Sequence, residues 1–573
     1  MSCKCRNLVA LLSLSSMLWA CQQDAVDPAT ETASTEAASM SAESSMAEPT
    51  AALVDTEFNP NLGRYIETLA SDAFEGRAPA SAGEEKTIAF IRDGFKNAGW
   101  EPAVNGSYFQ PVPLVEITAE ETSPVHMSGP EGDFDLAIGD DAITWTKRVT
   151  EAVDVSASDV VFVGYGVVAP EYDWNDYADI DVTGKTVIIL VNDPGFATGD
   201  ENLFRGRTMT YYGRWNYKLE EAARQGAAMA LIVHETAAAG YGYDVVTGSW
   251  SGAQFDLVRE DKNRGRVAVE GWLSNAAAQR VLTAAGEDLE ALSEAAKHRG
   301  FRAKPLNLKA SASVRNRLRE SESNNVVALL PGSERPDEYI IYTAHWDHLG
   351  INEAVDGDQI FNGAQDNASG TAALMAIAEN IAQGPRPKRS IVLAAVTAEE
   401  SGLLGSRFLA ENSPFPMGQI VAGVNMDALN ISGPMRDLIV VGYGNSELEP
   451  MVEQLAAGQN RRVEPNPAPE KGFYYRSDHF NFAKRGVPML YAKGGVDHFE
   501  KGKAFGQEQN AAYVHDRYHK PADEYGDWWD LRGMSQDLHI FQRLGLQLAN
   551  SDDWPNWYEG NEFRAIRDAS RAE

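Results

Sequence analysis

Along the chain, apolar positions first recur at helical spacing, at Leu62, Tyr65, Ile66 and Leu69 and again at Ile88, Ile91 and Phe95. A stripe repeating every three to four residues marks the buried face of a helix. Between them, Phe74-Glu75-Gly76-Arg77-Ala78-Pro79 reads as a turn. From about Val160 the pattern changes to short β-runs, Val160 to Val163, Thr186 to Leu190 and Ala228 to Val233, with a helix from Lys218 to Gln225. From about Asn325 strands and helices alternate. Strands are expected at Val326 to Leu330, Tyr339 to Thr343, Ile391 to Thr397, Ile420 to Val424 and Leu438 to Val441. Helices are expected at Thr371 to Ile381, Glu447 to Ala457 and Ser535 to Leu548. Such alternation implies an α/β fold with a mostly parallel sheet covered by helices on both faces.

The length of 573 residues exceeds one simple core. Lys4 and Arg6 precede an apolar run from Leu8 to Ala20, short for a membrane span and suited to a secretory signal. The run ends Leu18-Trp19-Ala20-Cys21, which resembles the bacterial lipobox, with Trp19 bulky for that pattern. The resemblance implies lipidation at Cys21, and Gln22 after it favours the outer membrane facing the periplasm. An ordinary signal peptide would leave a periplasmic or secreted protein. Residues 21–56, rich in Ala, Ser, Thr, Glu and Pro, are expected to be a disordered tether.

All three cysteines lie in the first 21 residues, so no thiol is left downstream as nucleophile or for a disulfide. The net charge of −33, with no basic stripe, argues against a nucleic-acid partner.

Candidate chemistry gathers where strands end. One strand runs into His345-Trp346-Asp347-His348, another into Glu399-Glu400, and a third into Asn425-Met426-Asp427, while Asp366 precedes a helix. In open α/β sheets ligands bind beyond the carboxyl ends of the strands. Each residue also has a plain structural role: Asp366 as a helix cap, Asp427 as a turn cap, His345 as an interior imidazole, the tandem glutamates as solvated loop acids. Yet two like charges closing an apolar strand call for a cation, and carboxylates mixed with imidazoles without thiolates suit a catalytic Zn²⁺ or similar ion. A carboxylate that binds no metal must then carry the water's proton, and spacing does not choose between Glu399 and Glu400.

Taken in order, His345-x-Asp347, the Gly363 to Gly370 loop, Glu399-Glu400 with Gly402, Asn425-Met426-Asp427 and Tyr518-His519-Lys520-Pro521-Ala522-Asp523 resemble the M28 metallopeptidases. Arg476-Ser477-Asp478-His479-Phe480 and Gly486-Val487-Pro488 extend the match. The resemblance implies a pair of zinc ions, or other divalent metals, with His345 and Asp427 on one, Glu400 and His519 on the other and Asp366 bridging. It implies Glu399 as general base and Asp347 as the group orienting His345. His519 enters only through the resemblance, with His498 and His515 as neighbours of equal standing.

Residues 119–308 resemble a β-rich protease-associated (PA) domain, on Gly164-Tyr165-Gly166, Gly184-Lys185 and Gln225-Gly226-Ala227, and no reactive cluster is expected within them. The catalytic domain is then split into 57–118 and 309–552, with 1–20 a signal segment and 553–573 a C-terminal extension. The implied activity is a zinc exopeptidase on peptides, an aminopeptidase first. A carboxypeptidase or dipeptidase would need a cation for the terminal carboxylate, for which Arg476, preceded by Tyr475, is the candidate. A non-catalytic binding relative is a third outcome. Membrane contact is expected only through the N-terminal lipid. Trp528-Trp529 and Trp554-Pro555-Asn556-Trp557 are expected in the core rather than around a pocket.

Overall fold

The computed structural model describes residues 57–250 and 252–572, so the signal segment and the whole of the tether lie outside the described residues. Among the described residues no helix is long and apolar enough to cross a membrane.

The sheet that carries the site is mixed. Its centre holds parallel strands Arg389–Val396, Arg335–His345, Ile420–Asn425 and Met489–Gly494. Strand Lys304–Leu330 runs antiparallel on one side and Asp437–Val440 on the other. Side chains alternate across it, as the two-residue period of a strand requires. Ile340, Tyr342, Ile391 and Leu393 pack with helices Leu62–Leu69, Ala82–Asn97, Ser369–Ala382 and Arg532–Asn550. Ile341, Val392 and Ala394 face the opposite way, against Leu409 and Phe482. Because both faces are covered, the central strands are apolar throughout rather than alternating.

Residues 119–308 form a second α/β body. Its parallel strands Ala152–Phe162, Thr186–Leu190, Met229–Val233 and Val269–Leu273 have helices Trp215–Arg224 and Asn275–Ala284 beside them and two cores of their own. The boundaries expected at 118/119 and 308/309 fall inside strands. Phe109–Thr122 and Lys304–Leu330 pair antiparallel from Val314 opposite Thr122 to Val326 opposite Phe109. This two-stranded ribbon joins the bodies, with one register shift between Arg315 and Asn316.

The C-terminal segment is part of the core rather than an appendage. Trp557 is fully buried and donates through Nε1 to the Gly486 carbonyl at 2.9 Å, and buried Arg567 donates to the carbonyls of Ile420 and Val421. Trp557→Ala should cost about 3–5 kcal/mol of stability, read by urea denaturation. A change below about 0.5 kcal/mol, as at an ordinary surface site, would contradict this packing. Trp529 is buried as expected, whereas Trp528 is 51% exposed, with Arg517 over its ring.

Candidate active site

Strand register delivers the site. His345 pairs with Val396, so the chain leaves both strands at the same edge and Glu399 and Glu400 follow at once. Thr343 pairs with Asn425, which places Asp427 two residues beyond the end of its strand at the same edge. Asp366 lies before helix Ser369–Ala382, and His519 arrives on a loop between helices Gly502–Ala512 and Arg532–Asn550. Several residues around these positions hold positive φ without being glycine: Ala398, Ala428 and His519 itself, at 51°, 50° and 55°. Left-handed backbone of this kind is strained and gathers where side chains must be aimed.

Asp366 sits between two imidazoles. Its Oδ1 lies 3.2 Å from His345 Nε2 and its Oδ2 lies 3.4 Å from His519 Nε2. His345 Nε2 is also 3.5 Å from Asp427 Oδ1, and His519 Nε2 is 3.1 Å from Glu400 Oε2. Donors about 2.0–2.1 Å from a tetrahedral ion are about 3.3 Å from one another, so these separations fit ligands around a shared centre. Donor atoms of His345, Asp366 and Asp427, and of His348, Asp366 and Glu400, lie within 4.8 Å of one another.

The electrostatics favour a cation. Asp347, Asp366, Glu399, Glu400, Asp427 and Asp478 crowd one region, and burial, with the charges of Asp427 and Glu400, pushes the Asp478 carboxyl up to about 7. Burial works against a proton on His519, but Glu400 and Asp366 override it and push the imidazole up to about 10. Burial would likewise raise the Asp366 carboxyl, and His345 and His519 hold it well below the usual range. Bound protons thus partly neutralise the acids, and a metal would displace them.

The tandem glutamates separate in space. Glu400 is committed to His519 through Oε2 and to His348 Nδ1 through Oε1 at 2.8 Å. Glu399 has no imidazole within ion-pair distance among the described residues. Burial, and then the nearby acids Glu400, Asp427 and Asp478, push its carboxyl well above the usual range against the pull of His345. Asp347 does not act quite as expected. The His345 Nδ1 hydrogen bond goes to the Asp347 backbone carbonyl at 3.1 Å, with the carboxylate farther off at 3.8 Å. That carboxylate instead accepts the backbone N–H groups of Glu399 and Glu400 at 3.1 and 3.3 Å, fixing the tandem.

The sequence reading passed over three contributors. His348 lay in the same short segment as His345 and was overshadowed by it. Ser477 donates to Asp427 Oδ2 and accepts from Asn425 Nδ2, both at 2.7 Å. Asp523 accepts the N–H of Asp366 at 3.0 Å. His498 and His515 stay outside: His498 Nδ1 accepts from the amides of Glu500 and Lys501, and His515 lies beside Asp516.

The site opens into a cleft of about 1130 Å³ whose walls come from both bodies. Tyr475 and Arg476 line it together with Arg214, Tyr241 and Trp250 of the second body. The tryptophans at 528, 529, 554 and 557 do not. Within the second body, buried Lys218 feels Asp193 and Asp176, and burial lowers its ammonium to about 7; this charged group was not expected there.

Residues 325–536 match the model of Peptidase family M28. A probable zinc metalloprotease of Leptosphaeria maculans is 42% identical over 87 residues, covering 15% of this chain and 20% of that protein. Aminopeptidase NAALADL1 of Mus musculus is 36% identical over 129 residues, 22% of this chain and 16% of the relative. Probable glutamate carboxypeptidase AMP1 of Arabidopsis thaliana is 26% identical over 405 residues, 64% of this chain and 51% of the relative. The match thus spans at most about half of each relative. The matched segment holds His345, Asp366, Glu399, Glu400, Asp427 and His519, so the part of the chain that is similar to Peptidase family M28 is the part that carries the site.

Proposed function

We propose that the protein is a metal-dependent exopeptidase whose site is built by His345, Asp366, Glu400, Asp427 and His519, with Glu399 as general base. The observation that carries this is the Asp366 carboxylate, whose two oxygens face two different imidazoles while an uncommitted glutamate stands alongside. Zinc ions, one with His345 and Asp427 and one with Glu400 and His519, sharing Asp366, would supply a Lewis acid for the scissile carbonyl and lower the pKa of water. Glu399 accepts the proton of the attacking water and returns it to the departing amine. Asp347 holds the two glutamate amides, so base and ligand keep their separate aims. The apolar run ending at Cys21 supports export and a lipid anchor, which labelling with a radioactive fatty acid would test.

Between the two exopeptidase forms, the relative named as an aminopeptidase supports the first. A specific feature of the cleft favours the second. Arg214 is buried, and no carboxylate lies within ion-pair distance of it among the described residues. Arg476 is close enough that, after burial, the Arg214 charge is the next cause lowering its guanidinium to about 9. A buried cation without an acid is costly, and a substrate carboxylate would complete it.

A panel of free, N-acetylated and C-amidated peptides tests both. An aminopeptidase loses the acetylated substrates, a carboxypeptidase loses the amides, and failure to cut any free peptide would overturn the exopeptidase assignment. If the arginines hold a carboxylate, Arg214→Met should raise KM for free-acid peptides about ten- to hundredfold, the worth of a charged hydrogen bond. An unchanged KM would remove the carboxylate-binding form.

A further inference from the structure

The turn Phe74 to Pro79 has no part in the chemistry above, yet it delivers a fully buried arginine to the back of the site. Arg77 donates from Nε to the Trp346 carbonyl at 2.8 Å, from Nη1 to Leu69 and Asn362 at 2.7 and 2.6 Å, and from Nη2 to Gly363 at 2.8 Å. All four partners are main-chain carbonyls. Glu75, Gly76 and Arg77 have φ of 52°, 64° and 52°, and a Cβ on Gly76 would lie 2.6 Å from the Gly350 and Phe361 carbonyls. The turn is wedged there at a cost in backbone strain. Two residues ahead of the turn, Asp72 accepts the Asn362 side-chain amide at 2.9 Å.

Asp523 meets the other end of the same loop. Its carboxylate accepts the Gln365 N–H at 3.1 Å from each oxygen and the Asp366 N–H at 3.0 Å, and its backbone carbonyl accepts from Ala364 at 2.9 Å. A guanidinium only donates and a carboxylate only accepts. The loop 362–366 therefore presents its carbonyls to a cation and its amides to an anion, and neither end can turn over without leaving a buried charge unsatisfied.

We propose that Arg77 and Asp523 are positioning residues that clamp the loop 362–366 from opposite ends and so fix the Asp366 carboxylate between His345 and His519. The clamp rests on Asp366 being the shared metal ligand. It also couples the two sides of the site, because Asp523 follows His519 by four residues. Arg77 ties in the first helical segment, from far upstream in the chain.

The test uses Arg77→Lys, which keeps the charge but loses the planar fork, and Asp523→Asn, in full-length protein. Zinc titration should show the weaker equivalent losing about 10- to 100-fold in affinity. At limiting zinc kcat should fall while KM stays within about twofold, and excess zinc should restore kcat. Hydrogen exchange of metal-stripped Asp523→Asn should show faster exchange at Gln365 and Asp366 and unchanged exchange in the central strands. Wild-type zinc affinity and wild-type exchange at 365–366 in these variants would overturn the clamp. So would a fall in melting temperature with the affinity of the folded protein intact, since the two residues would then be structural only. Wild-type protein that takes up no zinc would remove the metal assignment, and the exchange measurement would still decide whether the loop is held.

Discussion

Glu399→Gln should lower kcat by about 10²- to 10⁴-fold, the range lost when a positioned proton carrier is removed. KM and zinc content should stay near wild type, because Glu399 touches no imidazole whereas Glu400 touches His348 and His519. The amide keeps the shape and the backbone hydrogen bonds from Asp347's side, so a fall in rate reads the lost proton transfer rather than a collapsed site. Glu400→Gln is the contrast. It removes a carboxylate charge shared by two imidazoles and should lower zinc content first, with kcat partly recovered at high zinc. Turnover of Glu399→Gln within about tenfold of wild type would reassign the base. Zinc loss in this variant equal to that in Glu400→Gln would show that the two glutamates do not divide the work.

Thorough chelation should take peptide hydrolysis to background, and zinc should restore it at two equivalents per chain. In the stripped site the acids are offset by protons on His345 and His519, by the raised carboxyl of Glu399 and by the charge of Arg77, whose field reaches Asp523, Asp347, Asp366 and Glu400. Metal that binds the folded chain alone also stabilises it, by about 2.7 kcal/mol when free zinc stands a hundredfold above Kd. The melting temperature should therefore rise on zinc addition together with activity. Full hydrolysis in the stripped protein, checked by elemental analysis, would exclude the metal mechanism. Restoration at a single equivalent would leave Asp366 with one ion rather than two.

The strands of the catalytic body were legible because each is an apolar run that stops abruptly at a polar group, as at Tyr342-Thr343-Ala344-His345 and Val396-Thr397-Ala398-Glu399. Burial on both faces leaves such runs little choice of residue type. The connection between the bodies was not legible for the same reason in reverse. In the ribbon strand Lys304–Leu330, the stretch from Arg315 to Glu322 is largely polar and of it only Asn316 is buried, so no apolar alternation announces it. It is a strand because Phe109–Thr122 lies beside it and satisfies its backbone. The C-terminal segment was likewise read as an extension, since nothing local shows that Trp557 and Arg567 have acceptors waiting more than 70 residues away.

What the sequence determined by itself was the set of strand ends and the kinds of group they carry: carboxylates and imidazoles at one edge of an α/β sheet, with thiols excluded. Only the tertiary structure decided which of two adjacent glutamates is tied to an imidazole, which of three nearby histidines faces Asp366, and that Asp347 serves the glutamate amides more than His345. Those choices rest on distances of a few ångströms between segments up to about 150 residues apart. Spacing along a chain fixes which way a strand points, but contact across a fold is set by packing, and the charge on a buried group by the neighbours that packing brings.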